Sequence, residues 1–278
     1  MDILRTHGLV PLSRQNWHFL LSYWKYFPFV TPIQLLTDWY PMGKTSYSSF
    51  FNLPGRPAWM IMELVSPLTL LFTISTNPTP GPMPLLNKYL TALYLIHYSH
   101  RAIISPLRNP NMADYHILIF LSGVGFNVVN GSAIGGWLGG YGGNLEVATW
   151  KVILGSVLFF AGLWGNVYHE EILRKIRRIP EEGKDSDKVV SDDGTRVYRI
   201  PQGGLFTFVW FPHYFVEWVE WVGFMIAGGG IVRFWPAALF VCNEVATMLP
   251  RAMAGKRWYE KKFGKKAPVR MAAIPGVI

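Results

Sequence analysis

The side chains best equipped for chemistry in this sequence sit where water should be scarce. Glu63 lies in the middle of AWMIMELVSPLTLL, and Tyr98 and Arg101 lie in LIHYSHRAIIS beside His97 and His100. Asn166 and Glu170 close a fifth apolar run, Glu217 and Glu220 lie in FPHYFVEWVEWVGF, and Glu244 falls in the last run. Ionisable groups at such positions are costly, so each is a functional candidate by default. A carboxyl, phenol or guanidinium held there can meet the polar end of an otherwise apolar molecule.

Blander readings compete with these. Glu220 lies three residues from Glu217 and beside Trp221, so it serves either the same site or a bond to a neighbouring helix. His97, His100 and His116 read as packing or interfacial groups. H-x-x-H does not strongly favour a shared ligand face, and neither a Cys pair nor H-E-x-x-H accompanies it, so no metal is expected. The run GGWLGGYGGN (135–144) follows an apolar segment rather than a strand, and reads as a flexible external turn instead of a phosphate cradle. A better anion site is EEILRKIRR, where Arg174 and Arg177 are i,i+3 neighbours on one helical face, with Arg178 beside them and Arg196 and Arg199 following. It leads into YRIPQGGLF (198–206), whose Pro-Gln-Gly-Gly turn lets the backbone approach a ligand closely.

These residues need a scaffold, and composition indicates which. Of 278 residues, 50% are hydrophobic and only 15% charged, whereas soluble domains carry about a quarter charged residues. Apolar runs near 16–36, 58–76, 86–106, 113–134, 148–168, 203–228 and 233–250 approach the roughly 20 residues that cross a bilayer. Lys25, Pro28 and Pro32 interrupt the first. The expected fold is all-α, an integral, multi-pass bundle of about seven transmembrane helices. Loops 37–57, 101–112 and 169–202 share a side with the tail 251–278; that side holds Lys44, Arg56, Arg101 and Arg108, with eight basic residues in 169–202 and eight in the tail. The basic side faces the cytosol, and the C-terminus with it. The stretch 180–197 reads as a solvated cytosolic loop. The net charge of +9 therefore reports orientation, and no nucleic-acid partner is expected. A single cysteine, Cys242, excludes an intrachain disulfide. Residues 1–13 lack a removable signal pattern, so the first span is expected to target the chain.

At this point the sequence resembles the steroid 5α-reductase family. YRIPQGGLF (198–206) and VEWVEWVGF (216–224) carry the resemblance most strongly. NVYHEEILRKIRR, RPAWMIMELVSP, LIHYSHRAIIS and RAMAGKRWYEKKF join them in family order. The likeness covers about residues 40–278, which divides the chain into an N-terminal segment with the first span (1–40) and a membrane catalytic domain (41–278). It implies reduction of an alkene conjugated to a carbonyl, with hydride from NADPH, in the endoplasmic reticulum membrane. Glu63 and Tyr98 match the pair that holds the substrate carbonyl, and Arg101 matches a neighbouring substrate-site residue. Asn166, Glu170, Arg174, Arg177, Tyr198, Arg199, His213, Glu217, Arg251 and Tyr259 fall on cofactor positions. There are departures. Glu170 stands where Asp is common, His213 where some members have Asn, Met62 where several have Gln, and Gly255 where animal steroid reductases have His.

The chemistry suits these residues. Hydride addition to an enone pushes negative charge onto the carbonyl oxygen, and a donor aimed there stabilises the transition state. Tyr98 can donate its phenol proton. Glu63 can help as the protonated acid, the form that burial in an apolar span favours. Arginines pair well with the extra phosphate of NADPH, so the loop arginines with Arg199 and Arg251 are expected to set cofactor preference. The expected substrate is a hydrophobic steroid or lipid enone that enters from the bilayer. A trans-2-enoyl-CoA reductase, which generally carries an extra N-terminal soluble domain, and a polyprenol-type reductase are rival enzymes. A transporter or receptor would explain buried charges but not the arginine loop followed by YRIPQGGLF.

Overall fold

Apolar runs without water to satisfy their backbone must bond internally, and helix is what the chain forms along most of their length. The computed structural model describes residues 7–8, 10–37, 48–77, 81–143, 146–178, 188–190 and 197–278. Lys44, Arg196 and most of the loop 180–197 lie outside the described residues. The elements begin with α1 (Arg14–Trp24), a 3-10 turn (Phe27–Phe29), α2 (Val30–Thr37), β1 (Asn52–Leu53) and α3 (Gly55–Thr76). Next come α4 (Leu85–Tyr98), a π-helical turn (Ser99–Ile104), α5 (Ser105–Arg108), β2 (Tyr115–His116) and α6 (Ile117–Gly136) with a second π turn (Trp137–Tyr141). The chain continues through α7 (Thr149–Arg178), β3 (Lys188–Val190), β4 (Val197–Arg199), a 3-10 turn (Gly204–Thr207), α8 (Pro212–Ala227) and α9 (Trp235–Phe263).

Among the described residues three helical stretches are long and apolar enough to cross a membrane: Gly55–Thr76, Ile117–Tyr141 and Thr149–Arg178. The shortest has 22 residues, about 33 Å at the helical rise, which matches a hydrocarbon core. Large apolar side chains such as Phe29, Leu68, Val157 and Trp164 are exposed, while Asn130, Glu217 and Glu220 are buried. That inversion is what a lipid surround produces. The first predicted run is broken by a 3-10 turn at Phe27–Phe29, where Pro28 lies. The sixth begins as a 3-10 turn and becomes α-helical only at Pro212. The all-α expectation needs one amendment, two small antiparallel sheets. One pairs Asn52 with His116 and Leu53 with Tyr115; the other pairs Lys188 with Arg199 and Val190 with Val197.

Glycines set how closely the helices approach. α7 and α8 pack closely against each other, and a Cβ on Gly162 would lie 2.5 Å from the backbone nitrogen of Glu220. Gly155 and Gly223 meet the opposite backbone in the same way. α3 and α6 pack similarly, with Gly131 against the carbonyl of Ser66 and Gly135 against that of Leu70. Small residues at helix contacts are the usual means of close packing in lipid. The same principle corrects the reading of the first half of GGWLGGYGGN as a flexible turn. Residues 135–139 are helical and largely buried, Gly136 lies against the indole of Trp17, and Gly139 lies against Asn77; the helix breaks at Gly140, whose φ is +124°.

The N-terminal helices join this core. Trp17 donates its indole N–H to the carbonyl of Ala133 at 2.9 Å. Pro250 inside α9 has no N–H for the carbonyl of Ala246, four residues back. The hydroxyl of Thr31 on α2 donates to that same carbonyl at 2.8 Å. A helix defect on α9 is thus the seat for α2. The C-terminal tail is stitched onto the segment before α8, with Trp210 N–H on Met271 O, Phe211 N–H on Ala272 O and Met271 N–H on Phe208 O.

Candidate active site

Glu63 projects from α3 beside a deliberate gap in the backbone ladder. Pro67 lacks the N–H that the carbonyl of Glu63 would accept, so the helix loses a bond at the residue whose carboxyl faces inward. Asn127 of α6 donates to the neighbouring carbonyl of Met62 at 2.8 Å and fixes α3 from the side. Tyr98 ends α4, and Arg101 sits in the π turn that follows, where the Ser105 N–H reaches back to His100 O. Such turns recur at functional sites.

Glu63, Tyr98, Arg101, Glu217, Glu244 and Arg251 line one cavity of about 400 Å³, whose apolar walls include Phe126, Trp221 and Phe240. Glu217 is its hub. One carboxylate oxygen accepts from Arg101 Nη1 at 3.4 Å and from Asn166 Nδ2 at 3.2 Å. Asn166 also donates to the carbonyl of His213 at 3.0 Å. The other oxygen lies 3.9 Å from His97 Nε2, and His97 Nδ1 is 2.8 Å from Glu220 Oε1. Arg101 Nε is 3.5 Å from Glu63, and its guanidinium lies 4.6 Å from the Trp59 ring centre. The Trp59 indole closes the arrangement by donating to the Arg101 carbonyl at 3.0 Å. A continuous polar chain therefore runs Glu220, His97, Glu217, Arg101, Glu63.

This chain settles two expectations and alters a third. Glu220 bonds a neighbouring helix, through His97 on α4. His97 is more than packing, since it joins two buried carboxyls. Glu63 is not a lone acid in apolar surroundings, because a guanidinium flanks it; that premise for its donor role falls. Tyr98 stands between rings, 4.7 Å from Tyr94 and 6.2 Å from Trp221. The Tyr94 hydroxyl pairs with Ser66 at 2.5 Å and accepts from Asn130 at 3.0 Å.

The remaining predicted positions form a second group around the ends of α7 and α9. Arg174 and Arg177 share a face of α7, since both reach the stretch from Ser105 to Asn109, but they differ in burial. Arg174 is 1% exposed, 2.5 Å from Glu170 and 2.8 Å from Ser105 Oγ, with Glu171 at 3.3 Å. Arg177 stays at the surface, with Asn109 Oδ1 at 3.2 Å. Tyr198 and Arg199 lie on β4, Tyr198 edge-on to Trp258 at 4.7 Å, with Arg199 buried. Tyr259 stacks on Trp210 at 4.3 Å. Burial pushes its phenol above the ordinary range, with Arg177 and Arg270 pulling the other way. Arg251 lies 5.9 Å from the Tyr214 ring, and His213 packs edge-on to that ring at 4.6 Å. At Gly255 the space a side chain would fill is taken by the ring of Phe211.

Two contributors escaped the sequence reading. Arg270 donates to the carbonyl of Pro201 at 2.8 Å and to Gln202 Oε1 at 2.9 Å, with Trp210 4.9 Å below it. His169 accepts from the Leu205 N–H at 3.0 Å. Both hold the Pro-Gln-Gly-Gly turn, in which Gly203 and Gly204 have φ of +94° and +54°. Around Gly203 the nearest atom to an added Cβ is 3.8 Å away, so backbone conformation and not crowding asks for glycine there.

Known proteins are similar to this chain over most of its length. Residues 113–278 match the family described as 3-oxo-5-alpha-steroid 4-dehydrogenase. The chain is 31% identical over 251 residues to the steroid 5-alpha-reductase DET2 of Arabidopsis thaliana, covering 85% of this chain and 87% of that protein. It is 30% identical over 257 residues to the 3-oxo-5-alpha-steroid 4-dehydrogenase 1 of Rattus norvegicus, covering 90% and 91%. An uncharacterized protein of Schizosaccharomyces pombe is 38% identical over 258 residues, covering 84% and 90%. The chain belongs to the 3-oxo-5-alpha-steroid 4-dehydrogenase family and is an oxidoreductase acting on CH–CH groups.

Proposed function

We propose that this protein reduces the carbon–carbon double bond of a membrane-soluble enone with NADPH, and that a 3-oxo-4-ene steroid is the substrate, giving the 5α-reduced product. The observation that carries this reading is the cavity in which Tyr98, Glu63 and Arg101 face apolar walls. Relatives bearing the names of steroid 5α-reductases support it. The seven apolar runs form a bundle in the endoplasmic reticulum membrane with a cytosolic C-terminus, as the distribution of basic loops suggests.

Within that reading Tyr98 donates its phenol proton to the substrate carbonyl, where negative charge develops. Tyr94 and Trp221 fix its ring, and the Ser66–Tyr94–Asn130 bonds fix Tyr94. Arg101, held between Glu63 and Glu217, keeps a cation beside the same oxygen, and Glu63 orients that cation. The apolar walls exclude water, which strengthens each of these interactions.

NADPH, when bound, supplies the hydride. The donor set suits it. Asn166, Arg177, Tyr198, Arg199, His213, Arg251 and Tyr259 offer amide, hydroxyl, imidazole and guanidinium groups, and the exposed Gly203 backbone has the open surface of a cradle. Glu170 and Arg174 serve from inside, pinning α7 to α5 so that Arg177 is held at the surface.

The test is to incubate membranes containing the protein with NADPH and a panel of enones, and to identify the product by mass spectrometry. A 5α-reduced steroid is expected. Absence of any reduced enone would overturn the reading, and equal use of NADH would overturn the role given to the arginines.

A further inference from the structure

The Gln202–Gly203–Gly204 turn is exposed while both its flanks, Pro201 and Phe206, are buried. Two glycines with positive φ have many alternative conformations, so an exposed turn of this kind holds one shape only if something outside it does the holding. Arg270 secures the upstream side through Pro201 and Gln202. On the downstream side stands a histidine of α7. The Leu205 N–H donates to His169 Nε2 at 3.0 Å, and His169 Nδ1 lies 2.6 Å from the Gly165 carbonyl, four residues back on its own helix.

Those two bonds fix the tautomer. A carbonyl can only accept, so Nδ1 carries the proton, and Nε2 is left as the acceptor that the Leu205 amide needs. The ring is 4% exposed and packs edge-on to Phe206 at 5.6 Å. Close approach on the other side explains the residue type at 204. A Cβ there would lie 2.8 Å from His169 Nε2 and 2.8 Å from the Tyr168 ring.

We propose that His169 is the positioning residue that sets the shape of the glycine turn, and through it the affinity for NADPH. This rests on the reading of that turn as part of the cofactor site. His169 itself need touch neither cofactor nor substrate; its acceptor nitrogen orders the backbone that does.

Three variants separate this role from simple packing. Gln reaches as far as Nε2 and keeps an acceptor, Asn reaches only as far as Nδ1, and Leu has neither. Amide hydrogen exchange over 198–206 is measured in the protein without cofactor, and NADPH binding by fluorescence titration. His169→Leu and His169→Asn are expected to speed exchange at Leu205 and weaken NADPH binding about fivefold to tenfold, the worth of one backbone hydrogen bond. The apparent KM for the enone should change little, and His169→Gln should stay close to wild type. Should His169→Leu fail to fold, Gly204→Ala attacks the same contact from the other side and should give the same two changes. Equal exchange and equal NADPH binding in wild type and His169→Asn would overturn the proposal. So would faster exchange with unchanged affinity. A wild-type protein that binds no NADPH would overturn the cofactor reading itself, and the exchange data would still report on the clamp.

Discussion

The ring of Phe211 occupies the space directly above Gly255, so close that any Cβ at 255 would overlap it. One residue is therefore glycine because of the other. Substituting Gly255→Ala overpacks a buried contact and should cost about 1–3 kcal/mol. Phe211→Leu opens the space, so the double variant should recover part of that loss. Thermal unfolding of the four proteins in detergent gives the coupling, and strictly additive losses would show that the two side chains do not compete.

Arg101 is shared by two carboxylates, and its loss should be felt at both. Arg101→Met leaves Glu63 and Glu217 facing a cavity without their cation, and removing one partner of a buried ion pair costs about 3–5 kcal/mol. Arg101→Lys keeps the charge but cannot reach Glu63 and Glu217 with a planar fork, so it should fall between. Adding Glu217→Gln to Arg101→Met should restore part of the stability, because one of the two stranded charges is gone. If Glu217→Gln deepens the loss instead, the hub role of Glu217 is mistaken.

Much of this site was legible because charge in an apolar run is conspicuous. Glu63, Arg101 and Glu217 announced themselves, and the fold brings all three to one cavity. Their partners did not. Asn127, Asn130 and His169 are polar residues that many helices tolerate, and nothing in a linear string shows that each bonds another helix or loop. Arg270 looked like one more tail cation, since its target at Pro201 lies 69 residues away. The glycines of 135–139 misled for the opposite reason. Glycine lowers helix propensity, yet here packing against Trp17 and α3 outweighs it.

Alkaline pH should destabilise the wild type through Tyr259. Its phenol titrates near 10 in an unfolded chain, and burial raises that value in the folded protein. The stabilising effect of this difference is fully present below pH 10 and is lost as pH rises from there towards the folded value. Tyr259→Phe removes the ionising group, so its melting temperature should fall less steeply above pH 10 than that of the wild type. Parallel curves would mean that Tyr259 is solvated.

Tyr98 and Glu63 should separate when activity is measured. Tyr98→Phe keeps the ring between Tyr94 and Trp221 and removes only the donor. Loss of one oxyanion donor typically costs about 100- to 1000-fold in turnover. Glu63 acts beside Arg101, so Glu63→Gln keeps an oxygen near Nε and should retain partial activity. Glu63→Ala removes the anchor and should abolish turnover. Substrate binding gives the second axis. A donor used mainly in the transition state lowers kcat with little change in KM, whereas an anchor lost from Arg101 raises KM as well. Wild-type turnover in Glu63→Ala would remove Glu63 from the site, and an unchanged kcat in Tyr98→Phe would leave the Arg101 cation as the group that meets the carbonyl.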